Sequence, residues 1–293
     1  MNLKTRSASA SVLVLVTAVA CTDRVDVGYD LPSPVGGAAA SGGSMGDGGG
    51  SGFPAVAGGG SAGGESRCDT VACRGKIYAC GDCEDNDGDA LGDALDPECL
   101  GPCDDTEDVF ATPQTGAMSC RLDCAFDRNA GLGNDRCDWD LRCDPLSPGS
   151  SVSCESTPTT LASASCESGA TLQTEACVDS CPPITPNGCD CFGCCELPAR
   201  SGSFVWIGAA TAENGGCHLG TLDDPEVCPP CTPVSACENR CDTCEACVGG
   251  ASPSATCADP AQACGASAPP CGPGASCGEG RYCLTGCCIV VPT

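Results

Sequence analysis

Thirty-three of the 293 residues are cysteine, and that density limits what the chain can fold into more than any other feature. At such a frequency, cross-links rather than a large apolar interior are expected to hold the structure together. Aromatic residues make up 3% of the chain, too few for a conventional core, while 40 glycines and 23 prolines favour turns over long regular elements. The expected fold is small and disulfide-rich, mostly irregular, with short β-hairpins and one or two short helices. Disulfides persist in oxidising compartments, so the chain is expected to be exported.

The N-terminal stretch "MNLKTRSASASVLVLVTAVACTDR" agrees with export. Lys4 and Arg6 form a basic start, and Val12 to Ala20 an apolar run too short to span a bilayer. Residues 1–20 therefore read as a signal peptide of lipoprotein type. Ala18-Val19-Ala20-Cys21 resembles a bacterial lipoprotein cleavage box, which implies diacylglycerol on Cys21 and a mature chain that begins there. Thr22 after that cysteine implies, by the same resemblance, the outer membrane or cell surface. With Cys21 lipidated, 32 of the 33 cysteines remain, an even number that can pair completely.

Residues 21–67 contain no other cysteine and read as a disordered Gly/Ser/Ala tether that cannot bury a core. The cysteine-bearing part divides into an acidic segment at 68–103, a cysteine-rich region at 104–199, and a second at 200–293. In the last region "SFVWIG" (Ser203 to Gly208) reads as a strand, and "CGPGASCGEGRYCLTGCC" (Cys271 to Cys288) as a small knotted hairpin module. Two helices are expected. One covers Thr171 to Ser180. The other lies in "SACENRCDTCEACVGG", where Ser235 and Glu238 form a capping box, Gly249 offers a stop, and Cys237, Cys241, Cys244 and Val248 share one face. On a helix that stripe predicts bridges to other segments and none within Ala236 to Val248.

The acidic segment carries the clearest chemical pattern. In "CEDNDGDALGDALDPEC" (Cys83 to Cys99), Asp85, Asp87, Asp89, Asp93 and Asp96 occupy positions 1, 3, 5, 9 and 12 of a twelve-residue frame. The carbonyl of Leu91 falls at position 7. Oxygen donors on alternate residues of a curling backbone suit calcium, so these six residues are the expected ligands and calcium the expected cofactor. The net charge of −26 fits a solvated surface that attracts divalent cations, and argues against nucleic acid or anionic membrane surfaces as partners.

Other constellations have plainer readings. Cys80 with Cys83, Cys191 with Cys194, Cys228 with Cys231, and Cys241, Cys244 and Cys247 have C-x-x-C spacing, which zinc or redox sites use, but in an exported chain they are expected as structural disulfides. His218 beside Cys217 imitates a nucleophilic pair whose cysteine is expected to be bridged. "GASCG" (Gly274 to Gly278) matches a nucleophile elbow without a strand or helix to build one. Trp139, and Trp206 with Phe204, could stack on sugar rings, but in so aromatic-poor a chain they are expected to fill the core.

The acidic stretch resembles a thrombospondin type 3 calcium repeat, D-x-D-x-D-G-x-x-D-x-x-D followed closely by a cysteine, here Cys99. Ala90 stands where that family has glycine, so a left-handed turn would cost about 1 kcal/mol. Asp96 is shorter than the bidentate glutamate of an EF-hand. Both departures point to a weak site with a dissociation constant of roughly 10⁻⁴ to 10⁻³ M. More widely, "YACGDCEDNDGDALGDALDPECLGPCDDTED", "NGCDCFGCCELP" and "YCLTGCC" resemble cysteine-rich lipoproteins of myxobacterial type. That resemblance implies exported, calcium-motif-bearing surface proteins and names no activity. The expected function is a non-enzymatic, lipid-anchored cell-surface protein whose calcium-binding head serves adhesion or ligand binding, toward an unknown surface or matrix partner. The alternatives are a secreted hydrolase and a cysteine-based metal-binding protein.

Overall fold

A computed structural model describes residues 68–112, 119–129, 135–208, 216–250, 264, 268–271 and 277–293. The signal peptide, Cys21, the tether and most of the "GASCG" stretch lie outside the described residues.

The described part is a disulfide-rich assembly of short antiparallel strand pairs. Fourteen bridges are defined among these residues, which suits an oxidising, extracellular compartment. Cys244 is disulfide-bonded as well. In the largest group of buried side chains, eleven of seventeen residues are cysteines, which replace the missing leucines and phenylalanines as packing units. Among the described residues the longest bridge loop, Cys124 to Cys181, spans 57 residues. Closing a loop of that length removes about 4 kcal/mol of chain entropy from the unfolded state. No C-x-x-C motif closes on itself: Cys80 pairs with Cys99, Cys83 with Cys68, Cys194 with Cys231, and Cys228 with Cys217.

Strand β1 (Ala72–Cys73) and β2 (Lys76–Ile77) form a tight hairpin. Its two turn residues, Arg74 and Gly75, have φ of +49° and +76°, the mirror-image turn that matches strand twist. Strand β3 (Arg121–Leu122) pairs with β4 (Trp139–Asp140). Strands β5 (Cys189–Asp190), β6 (Cys194–Glu196), β7 (Phe204–Trp206) and β8 (Glu238–Asn239) make a four-stranded sheet, in the order β7-β6-β5-β8. This sheet and the Cys194–Cys231 bridge link residues on both sides of the 199/200 boundary. The terminal hairpin is β9 (Arg281–Leu284) with β10 (Cys287–Val290), as the sequence predicts. Tyr282, Leu284 and Val291 from that end pack with Cys73 and Cys103 behind the acidic segment.

Asp190 organises the sheet from within. Its Oδ1 accepts from the N–H groups of Phe192 and Cys194, both at 2.9 Å, and its Oδ2 from that of Val234 at 2.7 Å. One buried carboxylate thus shapes the β5–β6 turn and fastens a segment 44 residues away to it. Trp206 lies against the same turn and donates Nε1–H to Phe192 O at 3.1 Å, while the Trp139 ring centroid is 6.4 Å from that of Phe192. Both tryptophans are buried, so they fill the core as expected.

Two helix expectations change. Thr171 to Ser180 is not one helix but the end of α1 (Ala164–Thr171) and the whole of α2 (Glu175–Ser180). Thr174 Oγ1 accepts from Cys177 N at 3.1 Å and starts a new helix, leaving Leu172 exposed in the break. Ala236 to Val248 is not helical. Cys241 bridges Cys247, and six residues along a helix rise roughly 9 Å, beyond the 5.8 Å Cα separation found here. The Ser235 hydroxyl donates to Ala170 O instead of capping, and Asn239 pairs with Cys189 in the sheet. Complete pairing of 32 cysteines is also overturned. Cys191 and Cys237 are buried, unbridged thiols, and Cys191 Sγ donates to the Cys237 carbonyl at 3.3 Å.

Candidate cation-binding loop

Two bridges hold the acidic loop at its ends, Cys68–Cys83 at the entrance and Cys80–Cys99 across the base. Between them, short-range hydrogen bonds curl the backbone. Asp85 accepts from Gly88 N through Oδ1 at 2.7 Å and from Ala90 N through Oδ2 at 3.0 Å. Asp87 Oδ1 accepts from Asp89 N at 3.0 Å, and Asp89 Oδ1 from Leu91 N at 2.7 Å. Aspartate readily makes such side-chain turns, and at alternate positions they bend the chain toward the carboxylates. Asp85, Asp87 and Asp89 each bring one oxygen within 4.8 Å of the others, on the solvent-exposed side. Ala90 takes φ of +76°, so the position-6 turn is left-handed as the frame requires, with alanine in a conformation that favours glycine.

The other expected ligands are placed differently. Asp93 and Asp96 are 7% and 4% exposed and do not join that trio. Asp93 turns toward the first bridge, with Oδ2 3.4 Å from Cys68 Sγ, and Asp96 Oδ1 accepts from Glu98 N at 2.7 Å. Asp93 Oδ1 and Asp96 Oδ2 are buried without a hydrogen-bond partner. Burial first, then the negative charges of Glu107 and Asp82, pushes the Asp93 pKa up to about 6. Burial, followed by Glu98, Asp89 and Glu107, pushes that of Asp96 up to about 7. Leu91 contributes its N–H to the Asp89 turn, and its side chain is exposed.

Glu107 escaped the sequence reading. It is 2% exposed, and its two oxygens accept from Asn86 N and Asp93 N, each at 2.7 Å. One side chain therefore ties the start of the loop to its end, with Oε1 also 3.6 Å from Cys99 Sγ. Nothing in "CDDTED" distinguishes this glutamate from its acidic neighbours; its role depends on a chain reversal that the spacing does not reveal. Glu98 beside it accepts from Leu219 N through Oε1 at 3.2 Å.

The arrangement can do one kind of chemistry well. Asp85, Asp87 and Asp89 present converging oxygen donors of the kind that a hard divalent cation takes. The Cys217–His218 candidate has another arrangement. Cys217 is bridged to Cys228, and His218 Nδ1 accepts from Gly220 N at 3.1 Å, so the two do not form a nucleophilic pair. No family model matches this chain, and comparison with curated proteins and with solved structures finds no similar one.

Proposed function

We propose that this is a non-enzymatic, lipid-anchored cell-surface protein whose disulfide-stapled head binds calcium in the Cys83 to Cys99 loop and serves adhesion or ligand binding at the outer membrane or cell surface. The observation that carries the calcium reading is the approach of Asp85, Asp87 and Asp89 within 4.8 Å, on a loop already curled by their own hydrogen bonds. Asp93 and Asp96 complete the shell by turning outward, which relieves their burial without a countercharge. Calcium suits this set better than magnesium, because the donors are many, irregular and all oxygen. The anchor reading rests on Lys4, Arg6, the apolar run and Cys21, and a surface or matrix ligand is the partner it implies. Among the described residues no helix is long and apolar enough to cross a membrane.

The test is thermal unfolding of the wild type and of Asp89→Ala with calcium or chelator. At about 1 mM free calcium, a dissociation constant of 10⁻⁴ to 10⁻³ M stabilises the fold by roughly 0.4 to 1.4 kcal/mol. The Asp89→Ala protein should lose that increment. A wild-type midpoint indifferent to calcium would return the loop to a solvated acidic turn.

A further inference from the structure

Among the described residues only Cys191 and Cys237 are not disulfide-bonded, and the sheet places them opposite each other. Strands β5 and β8 run antiparallel, with Cys189 opposite Asn239 and Asp190 opposite Glu238. One step further along the same register, just past the end of β5 and just before β8, Cys191 meets Cys237. Their contact agrees, since Cys191 Sγ lies 3.3 Å from the Cys237 carbonyl oxygen. Both side chains belong to the largest buried group, at 0% and 3% exposure.

Directly opposed residues of an antiparallel pair have Cα atoms about 4.5 to 5.5 Å apart, within the roughly 4.4 to 6.8 Å that a disulfide spans. The same sheet already carries a bridge of this kind: Cys189 stands opposite Cys195 in the β5–β6 register and is bonded to it. Nor does the fold need the second bond to hold the two thiols in place. Asp190 ties the β5–β6 turn to Val234 through its buried carboxylate, and Cys194–Cys231 joins the same two stretches of chain. The pair can therefore change its oxidation state without the chain rearranging around it.

Burial, followed by the neighbouring Cys237, pushes the Cys191 thiol up. Thiolate, not thiol, is the nucleophile, so the pair is inert while the sheet is closed. Its reaction needs β8 to lift, and β8 is a two-residue strand at the edge of the sheet, the kind of element that opens locally at low cost. A further bridge lies close by: Cys191 Sγ is within 4.8 Å of the Cys137 and Cys177 sulfurs, which are bonded to each other. Exchange with that bridge moves a disulfide and still leaves two thiols, whereas oxidation against Cys237 leaves none.

We propose that Cys191 and Cys237 are a redox-sensitive pair: as thiols they leave β8 held by hydrogen bonds alone, and oxidation joins them in a cross-strand disulfide that pins β8 to β5. The oxidant is another disulfide, on a small molecule or a protein. One cysteine thiolate attacks an oxidant sulfur and expels the other as a thiolate; the second cysteine thiolate then attacks the first cysteine's sulfur and releases the remaining oxidant thiolate. One S–S bond breaks and one forms, and both thiol protons pass to the released oxidant thiols. A dithiol reductant reverses the sequence. The inference goes beyond the calcium reading and uses none of its residues.

The experiment treats the full-chain protein with graded dithiothreitol or with oxidised glutathione, alkylates it in denaturant and maps its disulfides by peptide mass. Oxidised glutathione should remove two alkylatable thiols from the wild type and yield a peptide that links Cys191 to Cys237, while Cys191→Ala/Cys237→Ala should lose none. Dithiothreitol should restore both thiols at a concentration that leaves Cys194–Cys231 closed. Hydrogen exchange of the wild type in its two states needs no variant: the amides of residues 237–240 should exchange about tenfold more slowly once the pair is closed. Thiols that survive excess oxidant, a link from Cys191 to Cys137 or Cys177, or a Cys194–Cys231 bridge that opens together with the pair would each overturn the proposal. So would unchanged exchange across residues 237–240 in protein whose Cys191–Cys237 bond is closed.

Discussion

Glu107 is the side chain on which the acidic loop most depends, and replacing it with glutamine tests that directly. In the native structure its two carboxylate oxygens accept from Asn86 N and Asp93 N at 2.7 Å, two short charge-assisted bonds, the first part-buried and the second buried. Bonds of this kind contribute about 1.5 to 3 kcal/mol each. Glutamine retains one acceptor and turns an NH₂ group toward the other N–H, so one bond is lost and a donor is orphaned. Against that loss stands a smaller gain, because a negative charge disappears beside Asp93 and Asp96, whose pKa values Glu107 helps to raise. The net cost of Glu107→Gln should be about 2 kcal/mol, expressed locally because the bridges Cys68–Cys83 and Cys80–Cys99 stay closed. Native-state hydrogen exchange reads this without global unfolding. At 1.36 kcal/mol per factor of ten, the amides of Asn86 and Asp93 should exchange about 30-fold faster, while the four-stranded sheet is unaffected. Glu107→Ala should exceed that factor, since both bonds go and a cavity forms. If exchange at the two amides is unchanged in both variants, Glu107 does not hold the loop and the reasoning fails.

Two further substitutions probe the backbone and the sheet. Ala90→Gly relieves a φ of +76° and should stabilise the loop by about 1 kcal/mol, slowing its hydrogen exchange roughly fivefold. The left-handed turn that the calcium frame requires then carries no strain, so calcium affinity measured by calorimetry should tighten as well. Asp190→Ala strips the N–H groups of Phe192, Cys194 and Val234 of their acceptor in the buried sheet. It should lower stability by at least about 3 kcal/mol in urea unfolding followed by tryptophan fluorescence, and a loss under 1 kcal/mol would show that the network is dispensable.

Local chemistry was legible in the chain alone. Cysteine density and the scarcity of aromatics implied a stapled, irregular fold, and the structure has one. The β7 strand and the β9–β10 hairpin were readable because alternation and turn residues act over a few positions. Asp85, Asp87 and Asp89 were readable as a converging set, and Ala90 as a left-handed turn, because alternating aspartates bend their own backbone. What needed tertiary structure was every decision between distant segments. Which sulfurs meet depends on how loops fold back, so the chain could not show that Cys241 bridges Cys247, and that bridge overrode a sound capping box and helical stripe. Nor could parity reveal that Cys191 and Cys237 stay unbridged in the interior. The inward turn of Asp93 and Asp96 and the tie made by Glu107 likewise follow from packing. Carboxylates along an acidic chain look alike to a sequence pattern; burial, which only the folded chain supplies, separates a solvated charge from one that must find a partner.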